Sequence, residues 1–387
     1  VCSTTAGRDE SSVVAYLDHA ATTPTRPEVL EAMLPYLTAT FGNPSGAHAV
    51  SRRAWAALET AREEVARCVG AQPGEVIFTS GGTEADNLAV RGVVEATGAK
   101  ACCSAIEHPA VRESVLAGGG LLLPVTGNGV LDCESFAQAL DPAVGLVSVM
   151  VANHETGIVQ PLAEVSAQVR SRAPNAVLHT DAVQAAPWMD LGDIWELVDA
   201  MSVSGHKLGA PKGIGALVVR EGVRLAPVMR GGPQEKERRP GTQNVAGAIG
   251  LAEAMRLVAV EREAVSRRVE ELRDMFSALL GDGIPGLVET GACTERLPGH
   301  CHVQIPGVES EVMLIALDES GVCASAGPAC ASGALEPSTV LMAMGRSALH
   351  ARQCLRFSMG YNTTEAEVTA AAEIVVEAFR RLAGRRG

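Results

Sequence analysis

Short apolar runs of strand length recur along most of this chain, separated by stretches whose apolar residues fall three and four positions apart. Residues 76–78, 101–104, 121–125, 144–151, 178–180, 200–203 and 214–219 read as buried strands. Helical spacing marks 29–37, 51–69, 110–116 and 162–172; in the second of these Trp55, Leu58, Val65 and Val69 share a face and Gly70 stands as a C-cap. Strands alternating with helices predict an α/β fold, a doubly wound and mainly parallel sheet with ligands at the carboxyl ends of its strands. From 245 to about 280 the helical pattern is long enough to connect two compact regions, and it places a boundary near residue 260. Beyond it a strand at 302–305, a helix at 309–320, strands at 321–325 and 355–359 and a closing helix at 365–382 describe a small α+β domain. The expected division is 27–259 as the large domain, 15–26 with 260–387 as the small one, and a polar, disordered 1–14.

The ends of the predicted strands carry the candidate chemistry. The run 197–203 stops at Ser204-Gly205-His206-Lys207, and a lysine at the mouth of a buried strand is costly unless it is paired or used. The run 177–180 ends at Asp181. An amine that can form a Schiff base and an acid that can hold a pyridine nitrogen protonated are what pyridoxal 5'-phosphate (PLP) requires. Taken singly, Lys207 reads as a solvated turn residue and Asp181 as a helix cap or turn residue; together they make a site. After the strand at 76–78, Gly81-Gly82-Thr83 opens a helix at Glu84, an anion cradle that suits one phosphate and lacks the spacing of a nucleotide loop. His108 and His154 each follow a strand end, and an imidazole there can stack on a flat ring and move a proton or serve as a plain structural hydrogen-bonder. Cys330 lies in Ser325-Ala326-Gly327-Pro328-Ala329-Cys330-Ala331-Ser332-Gly333, which offers little to pack and predicts an exposed thiol, either reactive or accidental. Arg356, inside the apolar run 355–359, calls for a carboxylate, from a substrate or from an internal salt bridge. Asn43, in Phe41-Gly42-Asn43-Pro44, is loop chemistry.

Composition narrows the class. The 387 residues are 47% hydrophobic with 3% aromatic, enough for a large core, and the longest apolar stretches fall short of a membrane span. A net charge of −13 weighs against direct nucleic-acid binding, which needs phosphate neutralisation. Ten cysteines lie scattered without a CxxC pair, which favours a reducing, cytoplasmic setting and argues against a zinc or iron–sulfur site.

Four motifs carry a specific resemblance: Tyr-Leu-Asp-His-Ala-Ala-Thr-Thr-Pro at 16–24, Phe-Thr-Ser-Gly-Gly-Thr-Glu-Ala-Asp-Asn at 78–87, Ser-Gly-His-Lys at 204–207 and Ala-Cys-Ala-Ser-Gly-Ala-Leu-Glu-Pro-Ser at 329–338. From about Tyr16 to its end the chain resembles the NifS/IscS-type cysteine desulfurases, fold-type-I PLP enzymes, in the subgroup with the longer cysteine loop. The resemblance implies that Lys207 holds PLP, Asp181 pairs with its ring nitrogen, Gln184 bonds the ring hydroxyl and His108 stacks on the ring. It implies a phosphate site at Gly82, Thr83, Ser204 and His206, with Thr242 reaching in from the second subunit of a homodimer. Arg356, helped by Asn43, would bind the carboxylate of L-cysteine, and Cys330 would carry its sulfur as a persulfide to an acceptor protein in iron–sulfur assembly, thiolation or DNA sulfur modification. The family reads Ala-Asn-Asn-Glu where this chain has Ala152-Asn153-His154-Glu155, so His154 replaces a cofactor- and substrate-facing asparagine. Selenocysteine lyase or another fold-type-I PLP activity is the alternative, since either shares most of these residues.

Overall fold

The structure is a computed structural model that describes residues 14–327 and 337–384. Cys330 and residues 1–13 of the expected disordered segment lie outside the described residues.

The large sheet has seven strands in the order Val76–Thr79, Gly215–Val219, Ala200–Ser204, Val177–Asp181, Val144–Ser148, Lys100–Ser104 and Leu121–Leu123. Gly215–Val219 runs antiparallel to both neighbours, and the remaining pairs are parallel. Helices cover both faces, which is why these strands read as continuous apolar runs rather than alternating ones. On one face Ile77, Ala200, Leu217 and Val219 pack against Ala85, Leu88 and Ala89 of the helix Gly82–Thr97. On the other, Val76, Phe78, Met201 and Val203 join Leu58, Val65 and Val69 of Ala49–Val69 and Leu251 and Met255 of Val245–Gly283.

That last helix runs unbroken for 39 residues and serves two cores. Its residues up to Val258 belong to the core just described, whereas Val269, Leu272, Phe276 and Leu280 pack with Ala15, Leu17, Cys301, Val303, Leu355, Phe357 and the closing helix Glu365–Ala383. Here an antiparallel sheet joins Cys354–Ser358, His300–Gln304 and Val288–Glu289, and a two-stranded parallel pair joins Ala15–Tyr16 to Val322–Cys323. The strand expected over 321–325 is shorter because Ser325 leaves that pair and bonds Arg356 instead, N to O in both directions at 3.1 and 2.7 Å. The strand expected from 302 begins two residues earlier, at His300, where polar histidines alternate with Cys301 and Val303 and interrupt the apolar run. No helix among the described residues is long and apolar enough to cross a membrane.

The loop before the long helix holds three successive non-glycine residues at positive φ: Glu235 (48°), Lys236 (56°) and Glu237 (66°). Each costs of order 1 kcal/mol or more and persists only where its surroundings dictate it. The constraint is Glu235, whose buried carboxylate takes Arg62 through two bonds of 2.7 and 2.9 Å and the Phe78 N–H at 3.1 Å. Replacing Arg62 with leucine strands that charge, and urea unfolding is expected to show a loss of about 3–5 kcal/mol.

Candidate active site

The parallel strands end on one edge of the large sheet, and the residues just past those ends gather there. Ala200–Ser204 passes into the 3-10 turn Gly205–Lys207, whose Gly205 N–H bonds Ile214 O at 3.0 Å. Lys207 Nζ donates to the Ala20 carbonyl and, at 2.8 Å, to the Ala21 carbonyl. Gln184 Nε2 donates to the same Ala20 carbonyl at 2.9 Å. His206 Nδ1 lies 3.2 Å from Thr22 Oγ1, and its carbonyl accepts the Thr23 N–H at 2.9 Å. The other side of this strap is fixed to the smaller sheet, with Ala20 N donating to Ser358 Oγ at 2.8 Å and His19 N to Ser358 O at 3.1 Å.

Beside the turn lies the glycine pair. Gly81 adopts φ 154° and ψ −175°, a combination open to glycine alone. A Cβ on Gly82 would stand 2.8 Å from Val183 Cγ2 and 3.5 Å from Ser204 Cβ, so only glycine lets the helix start approach the strand ends this closely. The first N–H groups of Gly82–Thr97 have no partner within the helix and, with the helix dipole, form an anion site beside Ser204. Thr83 is exposed at the rim of that site.

Asp181 is buried at the end of its strand and accepts the Val183 N–H at 2.8 Å. Burial pushes its carboxyl up, while His108, the Val183 N–H and Lys207 pull it down. His108 caps the helix Pro109–Ala117, its Nδ1 accepting the Ala110 N–H at 3.2 Å. Nδ1 therefore presents a lone pair, and Nε2 is the atom free to exchange a proton. Burial lowers the imidazole's pKa, opposed by Asp181 and assisted by Lys207, so the three groups lie in one electrostatic neighbourhood.

Under this cluster runs a layer of polar groups that the sequence reading missed. His179 Nδ1 meets Ser148 Oγ at 2.8 Å and its Nε2 meets Ser202 Oγ at 3.0 Å, while Asp86 Oδ1 stands 3.8 Å from the same Nε2. Glu107 Oε1 accepts from Ser104 Oγ and Met150 N, both at 2.8 Å, and its Oε2 is buried without a partner. Burial pushes Glu107 up to about 8 and raises Asp86 well above its ordinary value, with Asp181 nearby adding to both. Polar residues inside apolar runs, Ser148, His179 and Ser202, were the available signal.

The carboxylate-binding candidates form a second group. Arg356 donates through one terminal nitrogen to Asp18 Oδ1 and through the other to the His154 carbonyl, both at 2.8 Å, and its buried Nε lacks a partner. The internal salt bridge considered for Arg356 is thus present, with Asp18 of the Tyr-Leu-Asp motif as partner. The His154 ring is buried edge-to-face with His108 at 5.2 Å between centroids, which joins the two groups. Gly157 closes the His154 turn at φ 75°; a Cβ there would lie 2.4 Å from His300 Cβ. Asn43 and Thr242 are placed differently. Asn43 is exposed and its Oδ1 accepts the Ser45 N–H at 3.0 Å, an ordinary turn bond, and Thr242 is exposed on the loop before the long helix.

A buried acid, a half-buried amine, an imidazole beside them and a glycine-lined anion site match the four things PLP asks for: a partner for its ring nitrogen, one for its aldehyde, a face and a phosphate cradle. The residues present fit that group.

Glu107 gives a test of the buried layer. Between its ordinary pKa of 4.5 and about 8 the folded protein holds a proton that the unfolded chain releases, so stability falls as pH rises through that window. Glu107→Gln keeps the acceptor for Ser104 and Met150 and removes the titration. Thermal unfolding should show a flatter pH profile and a gain on the order of 4 kcal/mol at pH 8 over the wild type.

Residues 15–370 match the aminotransferase class-V family, whose members depend on PLP. A cysteine desulfurase of Trichormus azollae is 42% identical over 376 residues, covering 95% of this chain and 94% of its own. A solved NifS-like protein aligns with a TM-score of 0.89 at 31% identity, over 95% of this chain and 100% of that one. SspA in complex with cysteine aligns at 0.77 with 30% identity, over 89% and 98% of the two chains. The chain belongs to the class-V aminotransferase family, among its cysteine desulfurases.

Proposed function

We propose that this protein converts L-cysteine to L-alanine and carries the sulfur as a persulfide on Cys330 to an acceptor protein. The observation that supports this reading most is the meeting of Lys207, Asp181 and His108 beside the Gly81–Gly82 helix start, in a chain so similar to cysteine desulfurases. Lys207, Asp181, Gln184 and His108 would hold the PLP ring, and Gly82, Thr83, Ser204 and His206 its phosphate. Thr242, exposed on its loop, would complete the phosphate site of a second copy in a homodimer. The exposed apolar side chains of Leu30, Leu34, Leu37 and Phe41 supply a face for that contact. The division into a large domain (27–259) and a small one (15–26 with 260–387) belongs to the same reading, as does a cytoplasmic setting.

When bound, PLP supplies an aldehyde for the substrate amine and a ring that takes up the electrons of the Cα–H bond. Arg356 orients the substrate carboxylate, with Asn43 as a second contact, and His154 borders the same space. Lys207 would act as the base that takes the Cα proton of the bound substrate. The Cys330 thiolate then donates a pair to the substrate sulfur. A sulfur–sulfur bond forms, the Cβ–S bond breaks, and its pair stays on the carbon side, where protonation completes alanine. His108 Nε2 exchanges the proton that the sulfur chemistry requires. An external dithiol or the acceptor protein reduces the persulfide and returns Cys330 to the thiol.

Selenocysteine lyase is the second reading, and Cys330 separates the two. With L-cysteine and a dithiol the wild type should release alanine and sulfide in equal amounts. Cys330→Ser should release neither while keeping the cofactor absorption. A serine variant as active as the wild type removes Cys330 from the reaction and favours the lyase or a transaminase. Lys207→Ala should lose turnover by about 10²–10⁴-fold, the range for a positioned acid–base group, measured as alanine formed.

A further inference from the structure

We propose that Glu155 is a positioning residue that holds the root at Ser338 of the segment bearing Cys330, packs beside its other root at Gly327, and links them to the His154–His108 pair. The inference rests on the desulfurase reading for its consequence, and on described residues for its geometry.

Glu155 is 1% exposed. Its Oε2 accepts from Ser338 Oγ at 2.5 Å, and Ser338 in turn caps the helix Thr339–Ala343 by accepting the Leu341 N–H at 3.1 Å. The same oxygen stands 3.5 Å from the Cβ position of Gly327, which has a φ of +82°. One carboxylate is thus hydrogen-bonded to position 338, after Cys330, and faces the open side of Gly327, before it. Its other oxygen, Oε1, is buried without a hydrogen-bond partner and lies 3.8 Å from His154 Nε2. The turn that presents Glu155 is itself rigid: Asn153 Oδ1 accepts the N–H groups of Glu155 and Thr156 at 2.9 Å each, and Asn153 Nδ2 reaches Ile106 O at 2.9 Å. Ile106 stands two residues before His108. A continuous set of contacts therefore runs from Ser338 through Glu155 and His154 to the imidazole over the cofactor site.

Distance gives this set its purpose. Cys330 is three residues from Gly327, so an extended chain carries its Cα about 10 Å from that root at most. The thiol must reach a substrate sulfur bound near Arg356 and His108, and the volume it can search is centred on where the root is held. Arg356 helps to fix that root through its backbone pairing with Ser325. Burial pushes the Glu155 carboxyl up to about 7, opposed by the Ser338 hydroxyl and Arg356. The charged or titratable groups facing it are His154, Arg356 and Cys354.

The test uses the PLP-loaded protein as Glu155→Ala, Glu155→Gln and Ser338→Ala, each checked for an unchanged melting profile. Two rates are followed on mixing with L-cysteine without reductant: the change in cofactor absorbance, and persulfide on Cys330 by mass spectrometry. Glu155→Ala and Ser338→Ala should keep the first within about twofold and lose the second by tenfold or more, the scale of a lost hydrogen bond to a carboxylate. Glu155→Gln, which keeps an acceptor for Ser338, should recover most of the second rate. A persulfide rate in Glu155→Ala equal to that of the wild type overturns the proposal, and so does an equal fall in both rates, which would place Glu155 in substrate binding. Limited proteolysis between residues 327 and 338 decides the anchoring without any turnover. Cleavage should rise tenfold or more in Glu155→Ala and stay near the wild-type rate in Glu155→Gln, and equal cleavage in all three proteins refutes it. A wild type that forms no Cys330 persulfide would sink the desulfurase reading alone, because the proteolysis result still stands or falls separately.

Discussion

An ammonium group removed from bulk water must find acceptors, and the way Lys207 finds them holds the two cores of this protein together. Its Nζ is met by the carbonyls of Ala20 and Ala21. Ala20 is also bonded by Gln184 from the large sheet and by Ser358 from the smaller one. A short run of backbone near the start of the chain therefore sits between strands that are remote in sequence, and each side gives it a hydrogen bond that would otherwise be left unmade in a buried place. Once that strap is set, the position of the amine relative to Asp181 and His108 follows from strand geometry, because all three stand at strand ends of one sheet or just past them.

The same edge carries more buried acid than a stable interior should. Asp86, Glu107 and Asp181 are all desolvated, and Asp181 raises the pKa values of the other two. The arrangement is tolerable because the groups are not equivalent. Glu107 and Asp86 have Ser, His and backbone neighbours, whereas Asp181 alone of the three is pulled down by both Lys207 and His108. Of the three, Asp181 is the acid whose charged form its neighbours favour, and a cofactor with a protonated ring nitrogen would meet it there.

The fold was legible where physics is local and repetitive. Apolar runs at 76–78, 178–180 and 200–203 became strands because a sheet covered on both faces leaves few polar positions, and Gly70 ended its helix as a left-handed cap, φ 75°. The site was legible where a costly residue stood at a strand end: Lys207, Asp181, His108 and the glycine pair all came together. What escaped was non-local. Nothing near Arg356 announces that Asp18, more than three hundred positions earlier, supplies its carboxylate, and nothing near Ser338 announces Glu155. Asn43 and Thr242 look like turn and loop residues in sequence and are turn and loop residues in the structure.

The histidine at 154, the clearest departure from the family motif, also becomes intelligible in terms of which atoms do the holding. Arg356 is fixed by the carbonyl of residue 154, a group that every residue provides, and the turn is fixed by the side chain of Asn153. The side chain at 154 is therefore free of structural duty toward either. What it must do is fill the space beside His108 without carrying a charge there, and burial with His108, Arg356 and Lys207 close by depresses the imidazole far enough to keep it neutral. A neutral ring offers one donor and one acceptor, as an asparagine side chain offers both kinds of group, but in a rigid plane set against a second imidazole. The substitution exchanges a flexible amide for a ring whose orientation is set by packing.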